Sequence, residues 1–309
     1  MSAAREPIAW VLNLDAEHEL EAGRGWRPTT HLERIVRRER RRLFGNLVAP
    51  GDVVLGEGDD GAARGMVGLA WSPTRSAIAR LEAAGTRIAG AVDEETLARV
   101  NARPFAMALR AALLADDDGA PSFTKHLATD IEGALARIAD PGREAPDGWL
   151  VRRTFGAAGR GRRRIGPREV SDADRAWLAA SLRRGPLVLE PFVRVTREFT
   201  RSGWVREDGS VHVSQPCYQA TDRSGAWLET AEARDGITRE EDRRLGEAVA
   251  AAGAALASAG YRGPFGIDAF RHEDPRGGSG ERLNPLSEIN ARFTMDWALA
   301  MPSRPERAR

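Results

Sequence analysis

Two apolar segments near the end of the chain carry polar side chains where a buried strand has little reason to hold them. "GPFGIDAF" (263–270) contains Asp268, and "LNPLSEIN" (283–290) contains Glu288 and Asn290. Successive side chains along a strand point to opposite faces, so Glu288 and Asn290 share one side, and Asp268 shares a side with Gly266 and Phe270. Pairing of the two segments would bring the three groups together. Two carboxylates and an amide oxygen are hard donors, suited to a magnesium ion that also takes phosphate oxygens. A single acidic residue on a strand more often faces water. The apolar framing argues against that here, because a buried carboxylate must be paired or bind metal.

A second candidate is "RRTFGAAGRG" (152–161). Gly156, Ala157, Ala158, Gly159 and Gly161 leave almost no side-chain bulk, so backbone amides can approach an anion closely, and Arg152 adds charge just before the loop. The segment lacks the GK[ST] ending of a phosphate loop and does not open a helix, so a plain flexible turn also fits it. In "LVLEPFVRVTREFT" (187–200) a buried strand ends at Glu190, and Glu198 follows eight residues later. Taken alone, both are ordinary strand glutamates. No Ser-His or Cys-His pair stands out. The histidines show no ligand spacing, and Cys217 on an expected strand reads as a structural thiol. The arginine runs in "VRRERRRLF" and "GRGRRRIG" have no interleaved aromatics, so they read as a solvated helix face and a hairpin flank rather than a nucleic-acid surface.

The elements that must position these groups follow from the pattern along the chain. At 309 residues, 42% hydrophobic, with a formal net charge of +1, the chain can bury a large core, and its charge balance favours no polyanionic partner. One cysteine excludes an intramolecular disulfide and fits a reducing, cytoplasmic setting. The N-terminal residues lack the pattern of a signal peptide, and no apolar run is long enough for a membrane span. "PIAWVLNL", "GDVVLGE" and "GMVGLAW" read as strands alternating with helices over "TTHLERIVRRERRRLF" and 73–84, so residues 1–100 form a small α/β layer. Two helices follow, in "VDEETLARV" and "NARPFAMALRAALL". From about Gly148 the pattern becomes strand, glycine turn and strand. A Ser171- or Asp172-capped helix comes next, then a run of strands turning at Asp208-Gly209, and a helix opened by a Thr238–Glu241 capping box and stopped at Gly260. The end, 299–309, is expected to be disordered.

In this order and spacing the pieces resemble the ATP-grasp superfamily of carboxylate ligases. "LVRRTFGAAGRG" looks like its glycine-rich loop over the ATP phosphates. "LVLEPFVRVTREFT" matches its hinge strand, with Glu190 at the adenine pocket and Glu198 on the ribose. "GPFGIDAF" and "LSEINARF" match its metal-holding strands. The resemblance covers about 101–298. It implies an α/β (α+β) chain with an ATP-grasp core in two lobes, 101–186 and 187–298, behind a pre-ATP-grasp domain at 1–100. Two magnesium ions (manganese as a substitute) would sit on Asp268, Glu288 and Asn290. Backbone groups near Glu190 to Phe192 would hold adenine, the 155–161 loop would cover the phosphates, and Arg292 would face the transferred phosphate.

The resemblance implies an ADP-forming ligase that joins a small carboxylate to an amine or thiol through an acyl phosphate. It departs from the family at two positions that commonly hold lysine, where Arg103 and Arg152 stand. Lys125 is the single lysine of the chain, so codon bias toward arginine explains both. The alternative is an ATP-binding protein whose arginines no longer support transfer and whose role is regulatory. Neither nucleic acid nor membrane is an expected partner, and a homodimer is one candidate assembly.

Overall fold

A computed structural model describes residues 6–301 except 59, 91, 115–125, 141–144, 157–158, 168–169, 223–226, 234, 276 and 278–279. Its N-terminal sheet is parallel, with strands β1 (Ile8–Val11), β2 (Val53–Val54), β3 (Val67–Ala70) and β4 (Arg87–Ile88) in the order β2-β1-β3-β4. Helix α1 (Ala16–Ala22) follows β1, α2 (Thr30–Arg40) precedes β2, and α3 (Arg75–Ala83) follows β3. β1 lies between the strands that follow it, so the chain leaves it first to one side and then to the other. In such sheets ligands favour the crevice beyond the carboxyl ends of the strands at that reversal. Asn13 and Ser72 occupy it here, where Asn13 Nδ2 donates to the Ser72 carbonyl at 2.9 Å and to Thr74 Oγ1 at 3.0 Å.

Helices α4 (Glu94–Asn101) and α5 (Arg103–Leu113) lead into an antiparallel sheet of β5 (His126–Ala128), β6 (Trp149–Arg153), β7 (Arg162–Ile165) and β8 (Leu187–Pro191), ordered β5-β8-β6-β7. Helices α6 (Ile131–Ala139) and α7 (Asp172–Leu182) cover one face of it, burying Trp149, Val151, Leu187 and Leu189. Strand register gives the opposite face to Leu150, Arg152, Val188, Glu190, Arg162 and Arg164. Strand 187–191 therefore lies inside this sheet, and the boundary expected at 187 falls after Pro191. Of the two caps expected for α7, Ser171 is the one used, and it forms a capping box with Asp174.

The third sheet runs β12-β11-β9-β13-β14, with β10 also paired to β9. Its strands are β9 (Val195–Val205), β10 (Val211–Val213), β11 (Cys217–Thr221), β12 (Trp227–Glu232), β13 (Gly263–Glu273) and β14 (Glu281–Asn290). The hairpin at Asp208-Gly209 forms, with Gly209 at φ +82°, in the left-handed region that glycine enters without cost. Helix α8 (Arg239–Ser258) begins with the Thr238–Glu241 capping box and packs on one face. Leu256, Phe265, Ile267 and Ile289 are buried there together with Ala106 of α5. Helix α5 thus joins the core of this sheet, although sequence order places it with the preceding lobe. The chain stays folded beyond 299. A short helix, α9 (Trp297–Ala300), buries Trp297, Ala300 and Met301 against the N-terminal sheet, a correction to the disordered end expected from 299, while 302–309 lie outside the described residues. Among the described residues no helix is long and apolar enough to cross a membrane.

Candidate active site

The two apolar segments that opened the sequence reading pair as β13 and β14. Asp268 stands directly opposite Glu288, and Gly266 opposite Asn290, so all three polar groups share one face. Only glycine fits at 266, because an added Cβ would lie 2.6 Å from the Thr294 methyl. On β9 the same face continues through Thr200, opposite Asp268, and Ser202, opposite Gly266. Glu198 lies on this face as well, one alternation further, and accepts a 2.6 Å hydrogen bond from Thr221 Oγ1.

Two arginines converge on Glu288. Arg103 Nη2 donates to both of its oxygens at 3.0 and 3.1 Å, and Arg152 Nη2 donates to Oε2. Arg103 opens α5, and its Nη1 also donates to the Arg153 carbonyl at 3.1 Å, which ties the helix to the base of the glycine loop. Arg152 reaches from β6 and also donates to Glu190 Oε2 at 3.2 Å. Both positions matched to family lysines are therefore beside the carboxylate pair. Burial opposes ionisation of Glu288, but Arg103, Arg152 and Arg292 outweigh it and hold its carboxyl below the usual range.

Asp268 has the opposite balance. Burial and the facing Glu288 push its carboxyl up to about 7, against which the amide of Asn290 offers a single hydrogen bond of 3.0 Å. Two facing carboxylates, one of them without an arginine, are a pair that a divalent cation would relieve. The donor set fits magnesium with the Asn290 amide as third group. A cation at Glu288 would displace at least one arginine contact there.

Arg292 follows Asn290 and is held in place. Its Nε donates to Glu17 Oε1 at 2.5 Å, its Nη2 to Asn290 Oδ1 at 3.0 Å, and its guanidinium lies 5.6 Å from the Trp71 ring centroid. The next residue, Phe293, donates its N–H to the Trp71 carbonyl at 3.0 Å. The end of β14 is thereby joined to the crevice of the N-terminal sheet.

Three glycines of the loop after β6 stand where a side chain is disfavoured. A Cβ on Gly156 would sit 2.5 Å from the Arg160 carbonyl, and Gly159 and Gly161 have φ of +74° and +72°. Ala157 lies outside the described residues. Glu190, expected at an adenine pocket, shares the face of Leu150 and Val188. It is buried between Arg152 and Arg110, whose Nη2 donates to Oε1 at 2.6 Å. Burial opposes its ionisation, and the two arginines more than offset that, keeping its carboxyl low. Both oxygens of the Glu190 side chain are thus taken up by arginines. Phe192 sits at the strand end beneath the Arg164 guanidinium, 3.7 Å from its ring centroid.

Two site residues escaped the sequence reading. Arg110 is 1% exposed and lies seven residues, about two helical turns, after Arg103 on the same face of α5. A lone arginine in the apolar run "AMALRAALL" was the available signal. Glu17 had none, since it follows β1 among other acidic residues. Cys217 is buried and burial pushes its thiol up to about 12, as suits a structural residue.

No family model matches the chain, and no curated protein does. Solved structures do. Biotin carboxylase from Campylobacter jejuni, in a beta-gamma-ATP complex, superposes with a TM-score of 0.59 over 98% of this chain and 69% of its own, at 12% identity. D-alanyl-alanine synthetase A from Vibrio cholerae gives 0.53 over 92% and 88%, at 14% identity. N5-carboxyaminoimidazole ribonucleotide synthetase, in an ADP complex, gives 0.52 over 94% and 71%, at 18% identity. These are ATP-grasp enzymes, and the chain has their fold, as the resemblance implied.

Proposed function

We propose that the protein is an ADP-forming ligase that joins a carboxylate to an amine or thiol, using ATP and magnesium. The observation that carries this reading is the opposed pair Asp268 and Glu288, with Arg103, Arg152 and Arg292 around it and a glycine loop beside it. Magnesium, when bound on Asp268, Glu288 and Asn290, supplies charge neutralisation to the phosphates of ATP. Arg103 and Arg152 are buried at the base of the loop, and each can exchange a carboxylate oxygen of Glu288 for a phosphate oxygen. Their fork geometry suits both partners. Arg292, fixed by Glu17 and the Phe293 carbonyl, can turn the Nη2 that donates to Asn290 toward the transferred phosphate. The backbone at 190–192 and the half-buried side chain of Leu150 suit a purine, and Glu198 suits ribose hydroxyls.

In the reaction a substrate carboxylate attacks the γ-phosphorus and ADP leaves; the deprotonated amine or thiol then attacks the carbonyl carbon of the resulting acyl phosphate, and inorganic phosphate leaves. Side chains of the protein form no covalent bond in this scheme; they position reactants and stabilise charge. The test is release of ADP and phosphate across a panel of carboxylates paired with amines or thiols. Glu288→Gln and Asn290→Ala are expected to abolish turnover with the fold intact. Unchanged turnover in both would remove the metal assignment.

A further inference from the structure

Three carboxylates around the metal row have an arginine: Glu17 has Arg292, Glu190 has Arg110 and Arg152, and Glu288 has Arg103 and Arg152. Among the described residues Asp268, which the metal assignment explains, and Asp296 have none. Asp296 is 3% exposed, and among the described residues its side chain has one partner, the Ser202 hydroxyl, which donates to Oδ2 at 2.7 Å. It stands at the N-cap of α9 yet makes no capping bond, so local structure does not account for it either. Glu19, also buried, shows what a carboxylate without arginine needs: it accepts from Thr74 Oγ1, Ser76 N and Ser76 Oγ. A buried carboxylate left with one neutral donor costs stability, and such a cost persists where a ligand removes it.

The position of Asp296 says which ligand. Ser202 shares the sheet face of Asp268 and Glu288, one alternation along β9 from the row Thr200–Asp268–Glu288, which is about 7 Å. Thr294, whose hydroxyl is 3.1 Å from Ser202 Oγ, packs on Gly266 in that same neighbouring row, beside Asn290. Asp296 therefore lies a small molecule's width from the metal row, on the side that Arg292 and Phe293 join to the N-terminal sheet. Yet among the described residues no three His, Cys, Asp or Glu side chains are close enough to hold one metal ion, so Asp296 is not a further ligand of that cation. A solitary carboxylate with one hydroxyl on it and a second hydroxyl behind the first, near but separate from the metal row, matches a protonated nitrogen, which brings both positive charge and several N–H donors.

We propose that Asp296, with Ser202 and Thr294, is the recognition site for the ammonium group of the acceptor amine, making the protein a carboxylate–amine rather than a carboxylate–thiol ligase. The proposal rests on the ligase reading above and goes beyond it in assigning the second substrate and its site. Ammonium bound there gives one proton to the Asp296 carboxylate, and the neutral amine attacks the carbonyl carbon of the acyl phosphate as phosphate leaves.

The experiment is Asp296→Asn, which keeps size and an acceptor for Ser202, studied with Asp296→Glu. Without ligand, in EDTA, Asp296→Asn is expected to raise Tm by about 2 °C. A fall of that size would mean that the carboxylate supports Ser202 structurally, and would overturn the proposal. Next, melting is followed with magnesium and β,γ-imido-ATP while ethanolamine, putrescine and single amino acids are titrated in, each beside its N-acetyl form. At least one free amine should stabilise the wild type where its acetylated form does not. Its half-saturation should weaken by about 30-fold or more in Asp296→Asn, as when one partner of a buried charge pair is removed, and recover in Asp296→Glu. Equal effects of free and acetylated amines, equal effects in wild type and Asp296→Asn, or no amine effect at all would each overturn it. The nucleotide shift itself separates the two readings: its loss from the wild type removes the ligase, while its presence with failed amine arms removes this site alone.

Discussion

Asp268→Asn should make the protein without metal more stable and unable to respond to magnesium. The Asp268 carboxyl titrates at about 7 in the folded chain against 3.8 when unperturbed. A raised folded value means that the folded state binds the proton more tightly. The stabilisation is complete below about pH 4 and is lost as pH rises through about 7. Three units correspond to about 4 kcal/mol. Because Asp268 keeps some contact with solvent, about half of that, roughly 2 kcal/mol, is the expected effect. Asparagine cannot ionise, and its amide oxygen can still accept from Asn290, so the variant avoids the loss. In EDTA its Tm should therefore match the wild type near pH 4 and exceed it by about 4 °C at pH 8, with most of the divergence between those values. Other titrating groups are common to both proteins and cancel in the difference. Adding magnesium with β,γ-imido-ATP should then raise the wild-type Tm and leave the variant unmoved. A difference that is flat with pH, or a variant that melts below the wild type at pH 8, would refute the electrostatic reasoning. A preserved magnesium-nucleotide shift would refute the metal assignment.

Other outcomes follow from the same contacts. Arg110→Met leaves buried Glu190 with Arg152 alone and should cost about 3 kcal/mol in urea unfolding, with much of it recovered in Arg110→Met/Glu190→Met; a cost below about 1 kcal/mol would show the pair to be dispensable. Glu17→Gln frees Arg292 from its anchor, so turnover should fall roughly tenfold while nucleotide affinity stays within about twofold, separable by comparing ADP release with nucleotide binding. Gly156→Val drives a side chain against the Arg160 carbonyl, so nucleotide binding should weaken while the far-ultraviolet circular dichroism spectrum is kept. Unaltered binding would mean that the loop does not close on phosphates.

The sequence by itself determined the local pieces and which residues share a side. Alternation placed Glu288 with Asn290, the Thr238–Glu241 box opened α8, and Asp208-Gly209 turned the β9–β10 hairpin, because each depends on neighbours within a few residues. Tertiary structure decided what those sides meet. Period-two alternation puts Glu190 on one face of β8 but cannot say that this face meets Arg110, 80 residues away, instead of a ligand. Helix α5 could have packed on either flanking sheet; only assembly showed Ala106 against β14 and Arg103 bound to a carboxylate 185 residues on. Glu17 and Asp296 look like ordinary surface acids in the chain. They became one arginine's anchor across 275 residues and a carboxylate with a single hydroxyl partner, because burial and pairing belong to the packed molecule and no short window of sequence contains both partners.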